Sequence, residues 1–188
     1  MQVLPRRKSL RLRQYDYSQA GAYFVTICTH DRRHLLGRIE GGKIQVNACG
    51  QIIRTVWENL AIKFKDIGLD AFVVMPNHIH GIIIVGAQFI APTVGVMNHA
   101  PTLGDIVRSF KAISTRLIRK NHNKGFNWQR NYYEHVIRDE TSLNRIREYI
   151  LTNPLRWDLD RENPQAREKD NFDVWLNSFK EGPREKTG

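Results

Sequence analysis

His78 and His80 flank Ile79 in the segment "MPNHIHGIIIV". In a strand, residues i and i+2 project from the same face, so both imidazoles point one way and can bind one divalent ion through ring nitrogens. Ile79 and the following Ile82 to Ile84 are then left for packing. The pair alone is a weak signal, because two half-exposed strand histidines need hold nothing. Tyr149 and Asn153 stand four residues apart in "NRIREYILTNP", one helical turn from each other on one face. The apolar stripe there is Leu143, Ile146 and Ile150, which leaves Tyr149 at its margin. A phenol so placed either projects toward a sheet or packs at the stripe's edge. Tyr132 and Tyr133 are rival hydroxyls but lack a helical partner at i+4. Glu134 and His135 fit supporting contacts to a metal or a solvated strand edge equally well, and His30 and His34 read as surface residues.

These groups need elements to carry them. "AYFVTICT" (22–29) crowds β-branched and aromatic residues into a short run, the mark of a central strand. "GRIEGGKIQVN" places Gly41-Gly42 between two alternating segments and predicts a hairpin. In residues 50–64 Ile52, Ile53, Val56, Trp57 and Leu60 recur at spacings of three and four, which predicts a helix with one buried face. "LDAFVVMP" and "HIHGIIIVG" then read as antiparallel strands around the Pro76-Asn77 turn. Residues 86–101 lack a period and read as a long surface loop. Residues 102–120 form a basic amphipathic helix, with Ile106, Phe110, Ile113 and Leu117 on one stripe and Arg108, Lys111, Arg116, Arg119 and Lys120 largely elsewhere. "FNWQRNYYEHVIRD" predicts the fourth core strand, and "TSLNRIREYILTNP" a last helix that Pro154 ends. Beyond Arg156, Phe172, Val174, Trp175, Leu176 and Phe179 are suited to docking a C-terminal helix. The expected fold is α+β: a ferredoxin-like split βαβ arrangement, an antiparallel sheet with helices on one face and the other face free for a ligand.

With 188 residues and 41% hydrophobic content, the chain has material for one core plus tails. The expected organisation is a basic arm at 1–13, a catalytic domain at 14–157 and a C-terminal extension at 158–188. A formal charge of +10 favours a polyanionic partner. The charge is clustered: Arg6, Arg7, Lys8, Arg11 and Arg13 share the arm with no acidic residue, and Arg108, Lys111 and Arg116 share one helix. Such groups neutralise phosphates without reading bases, although a basic arm can equally remain a solvated tail. Trp128, Tyr132 and Tyr133 can stack on unpaired bases or pack in the core. Two cysteines without CxxC spacing, and no apolar run long enough to span a bilayer, lead us to expect a cytoplasmic, nucleoid-associated protein with no membrane partner.

Four pieces, in order, resemble the single-tyrosine HUH transposases and, within them, the REP-associated tyrosine transposases. They are "YFVTICTHDRRHLLG", "VVMPNHIHGIIIV", "TLGDIVRSFKAIST" and "NWQRNYYEHVIRDETSLNRIREYILTNPLRW", spanning roughly residues 8–157. The resemblance implies a metal held by His78 and His80, a nucleophile at Tyr149, and a third ligand at Asn153 where related transposases often have glutamine. The expected cofactor is Mg2+ or Mn2+; imidazole suits manganese better, since magnesium prefers oxygen ligands. The expected partner is a single-stranded DNA hairpin of the repeat-sequence type, bound by a monomer or homodimer. Two other readings stay open: a nucleic-acid-binding module with structural histidines, and a metal-dependent phosphodiester hydrolase that uses water.

Overall fold

A computed structural model describes residues 21–86, 101–166, 168 and 170–179. Arg6, Arg7, Lys8, Arg11 and Arg13, and residues 87–100 of the stretch expected as a loop, lie outside these. The β-branched and aromatic run becomes β1 (Gly21–Cys28), followed by the hairpin β2 (Gly37–Glu40) and β3 (Lys43–Val46). Both turn glycines of the hairpin adopt the left-handed conformation, Gly41 at φ +55° and Gly42 at φ +71°, which tight two-residue hairpins require. Next come α1 (Ala48–Glu58), capped by the Asn47 side chain, and the single turn α2 (Leu60–Lys63). Strands β4 (Ile67–Val74) and β5 (His78–Val85) pair antiparallel around Pro76-Asn77. The basic helix is α3 (Leu103–Asn121), begun by a capping box of Thr102 and Asp105. After it come β6 (Tyr133–Ile137), α4 (Glu140–Thr152), a 3-10 stretch over Asn153–Leu159, and α5 (Asn171–Ser178).

The four main strands form one antiparallel sheet in the order β4-β5-β1-β6. Each βαβ unit thus has a strand of the other inserted between its own, the split arrangement expected. Alternation along β1 sorts the two faces. Tyr23, Val25 and Ile27 join Ile79, Ile83 and Val85 in a large apolar core under α1 and α3. Within it Trp57 stacks on Phe72 with ring centroids 4.5 Å apart, and a side chain at Gly81 would meet the indole at 2.4 Å. Glycine there is the condition for the tryptophan's place.

The second face departs from expectation. Instead of staying free for a ligand, it is covered by α4 and α5, whose Ile146, Tyr149, Ile150, Phe172 and Leu176 pack on Phe24 and Ile82. The sparse C-terminal apolar residues are enough for this because they meet a ready-made apolar strip; Val174 and Phe179 remain exposed. The fourth strand is also shorter than its sequence suggests. Phe126 and Trp128 turn into the core beneath α3, where Trp128 makes an isolated bridge to Thr29 just past β1, and the continuous pairing with β1 is confined to Tyr133–Ile137. Trp128 donates its indole N–H to Ser114, so it packs rather than offering a face to bases. Among the described residues no helix is long and apolar enough to cross a membrane.

Candidate active site

His78 and His80 enter the second face from consecutive outward positions of β5, while Ile79 between them fills the large core. Their Nε2 atoms stand 3.0 Å apart. The tautomer of His78 follows from its surroundings. Asn77 donates its amide to the carbonyls of Arg32 and Glu162, which turns its Oδ1 toward His78 Nδ1 at 2.8 Å. An amide oxygen can only accept, so Nδ1 carries the proton and Nε2 presents a lone pair. His80 Nδ1 lies 2.9 Å from the Thr26 hydroxyl, which orients the second ring.

Opposite this pair lies Tyr149, whose hydroxyl is 3.4 Å from His80 Nε2. It is carried by α4, and α4 is pinned to the sheet edge by Arg147, which grips Asp70 of β4 through Nε at 2.9 Å and through a terminal nitrogen at 2.6 Å. That guanidinium holds the Asp70 carboxyl below its ordinary pKa. Tyr149 is therefore not at the margin of the helix stripe but among its buried members. Asn153, one turn on, reaches the same place.

Sequence reasoning missed Asp160. Its Oδ2 lies 3.6 Å from His78 Nε2 and 3.5 Å from His80 Nε2, accepts the Asn153 amide at 2.7 Å and faces the Tyr149 hydroxyl at 3.4 Å. Ligand atoms of His78, His80 and Asp160 all lie within 4.8 Å of one another, which makes them a candidate metal triad. The only trace in the sequence is the acidic run "DLDREN", just beyond the reach of the family resemblance. Asp160 is placed by its neighbour Glu162, whose backbone takes the Asn77 amide and whose carboxylate pairs with Arg32 at 2.8 Å. The turn that presents the histidines thus also anchors the C-terminal segment.

None of His78, His80, Tyr149, Asn153 and Asp160 is more than 2% exposed. Burial pushes the His78 pKa down to about 3, and His80 adds to this, so the ring is a neutral ligand at any physiological pH. For Asp160 burial acts upward, but His78, His80 and the Asn153 amide outweigh it and hold the carboxyl well below its usual range. Burial raises the Tyr149 phenol well above the ordinary tyrosine value, with Asp160 and Asp173 adding to it. Asn153 Oδ1 is buried with no hydrogen-bond partner among the described residues. An orphaned acceptor of this kind costs about 1–3 kcal/mol. It and the Nε2 lone pair of His78, together with the Asp160 carboxylate, are what a divalent cation would satisfy. The donor set of two imidazoles, an amide oxygen and a carboxylate fits manganese and, less readily, magnesium.

The cover over the site is aromatic. Phe172 of α5 lies flat on the Tyr149 ring, centroids 3.6 Å apart and planes within 6°. Arg161 spreads over the Tyr133 ring at 4.4 Å and pairs with Asp173 at 3.5 Å, while Arg156 pairs with Asp170. Tyr133 packs edge-on against Phe24, and burial pushes its pKa up to about 12. His30 and His34 are exposed.

The basic helix residues have separate fates. Arg108 is exposed and paired with Asp105 at 2.8 Å. Lys111 is turned inward, its ammonium donating to the carbonyls of Gln129, Arg130 and Asn131 at 2.8, 3.3 and 3.1 Å. Arg116 is exposed on the same flank.

With this geometry in hand, the chain can be set beside known proteins. Residues 18–153 match the family described as "Transposase IS200 like". An uncharacterised protein of Haemophilus influenzae is 41% identical over 165 residues, 82% of this chain and 92% of that one. A solved structure of a REP-associated tyrosine transposase bound to a REP hairpin shares the fold at a TM-score of 0.55 and 21% identity, covering 80% of this chain and 74% of that one.

Proposed function

The chain belongs to the IS200-like transposase family, and from that premise we propose that it cuts and rejoins single-stranded DNA at repeat hairpins through a 5′-phosphotyrosine on Tyr149. The observation that carries the reading is the convergence of the Tyr149 hydroxyl on the His78, His80 and Asp160 cluster. Tyr149 Oη bonds to the scissile phosphorus as the bond to the 3′ oxygen breaks. That oxygen leaves with a proton as a 3′-hydroxyl, and the energy of the phosphodiester is kept for rejoining. The phenol is protonated at rest, and the acceptor it already faces is the ionised Asp160 carboxylate. His78, His80, Asn153 and Asp160 would hold a divalent ion, which would supply charge stabilisation at the scissile phosphate. Thr26 and Asn77 keep both imidazoles turned for that task.

A hairpin partner agrees with the bound ligand of the REP-associated structure and with the basic arm at Arg6, Arg7, Lys8, Arg11 and Arg13. The test is incubation with single-stranded hairpins from the host genome plus manganese, followed by a denaturing gel. The protein should form a covalent DNA adduct, and Tyr149→Phe should form none while still binding the hairpin. Undiminished adduct in that variant moves the nucleophile to Tyr132 or Tyr133. Cleavage without any adduct makes the protein a hydrolase.

A further inference from the structure

One cavity of the molecule lies away from the buried cluster. It is an open groove of about 1050 Å³ between α3 and the segment 127–132, and it includes Arg108, Arg116, Arg119 and Arg130 with no carboxylate among its described lining residues. Ordinary small-molecule pockets run to roughly 300–1,000 Å³, so this groove has room for an extended ligand. Two of its cations build the walls. Lys111 holds the carbonyls of Gln129, Arg130 and Asn131, and Arg119 donates to the Phe126 carbonyl at 2.8 Å and to the Asn127 side chain. Arg116 and Arg130 are exposed and have no carboxylate partner among the described residues.

Gln129 and Tyr132 line this groove and also a smaller cavity of about 260 Å³. The smaller cavity reaches Thr26, which holds His80, and Arg161 and Glu162, which adjoin Asp160. The two cavities therefore adjoin around the β6 edge of the sheet, and the path they form runs from the basic groove on one face to the residues that flank the buried cluster on the other, where Arg32 and Arg161 stand with Glu162. We propose that this path carries the unpaired DNA strand leading to the scissile phosphate, with Arg116 and Arg130 on its phosphates. The narrow end is smaller than an ordinary ligand pocket, so it admits part of an unpaired nucleotide and excludes a paired stem. Lys111 acts as a positioning residue that keeps the 129–131 wall in place.

The proposal rests on the reading of the chain as a single-stranded DNA strand transferase. It is tested with the full chain and two fluorescent hairpin oligonucleotides, one bare and one with a short single-stranded flank, beside an unstructured strand, all titrated across a range of salt. In the double variant Arg116→Gln/Arg130→Gln the log–log salt slope for the flanked hairpin should fall by about 1.4 units, at ~0.7 per single-strand phosphate contact. The slope for the bare hairpin should not change. Equal losses on both hairpins place the two arginines on the stem and overturn the proposal, as does no loss on either. A protein that prefers no hairpin yet loses the same slope on an unstructured strand sinks the hairpin reading and upholds the path. Absence of binding to any DNA sinks both. Both positions are exposed, and an unchanged thermal unfolding midpoint confirms that the variant is folded.

Discussion

The two faces of the sheet are built from the same strands and have opposite chemistry. Under α1 and α3 the core is mainly apolar, with Tyr23, Val25, Ile79 and Trp57 in one cluster and Gly81 leaving room for the indole, and its buried Ser114 is satisfied by Trp128 and the Phe110 carbonyl. Under α4 and α5 the apolar strip of Phe24 and Ile82 is interrupted by two histidines, an asparagine, an aspartate and a tyrosine, all buried. Ile79 and its flanking histidines show how near the two regimes lie: one residue along β5 changes the face and the purpose. The first face stabilises the fold. The second gives up stability to hold unsatisfied ligand atoms and a desolvated phenol in one place.

Emptying the apolar face should have the largest effect. Trp57→Ala removes the ring stacked on Phe72 and should cost about 3–5 kcal/mol, read from urea unfolding. Manganese affinity measured by calorimetry on the still-folded variant should be unchanged. A loss of affinity in step with stability would mean the two faces are not separable.

The polar face should reveal itself through pH. The folded pKa of His78 is about 3 against an ordinary 6.5, so the unfolded chain binds a proton over this window and the native state does not. Stability from this residue is therefore complete above pH 6.5 and is lost as pH falls toward 3, at no more than about 1.4 kcal/mol per pH unit. Asp160, held low in the native state, adds a loss in the same direction at the acid end. His78→Gln should flatten the dependence between 6.5 and about 4. An unaltered slope would show that the histidine is not the group being titrated.

A smaller effect is expected from the aromatic cover. On the proposed reading Tyr149 is the nucleophile, and since Phe172 of α5 lies flat on its buried ring, that reading requires α5 to open before attack. The Phe172 stack is worth about 0.5–1.5 kcal/mol beyond its buried area. Phe172→Leu should therefore speed adduct formation by roughly two- to tenfold, each ~1.4 kcal/mol being a factor of ten. Slower adduct formation would make α5 part of the working site. The smallest effect belongs to Arg108, exposed and already paired with Asp105; Arg108→Gln should shift DNA affinity by no more than about 1 kcal/mol.

The sequence by itself determined the order of elements, the shared face of His78 and His80, and the spacing of Tyr149 and Asn153, because strand and helix periods are local properties of the chain. The hairpin glycines and the capping residues of α1 and α3 are local in the same sense. Only the tertiary structure decided that Asp160 joins the cluster, since its approach to His78 spans 82 residues of sequence and depends on Glu162 docking against Asn77 and Arg32. It likewise turned Lys111 from a surface cation into a brace for three carbonyls, and put Phe172 over the tyrosine. Helical periodicity gives the direction in which a side chain leaves its own helix. What it meets there is set by segments distant in the chain, and no repeat in the sequence encodes that meeting.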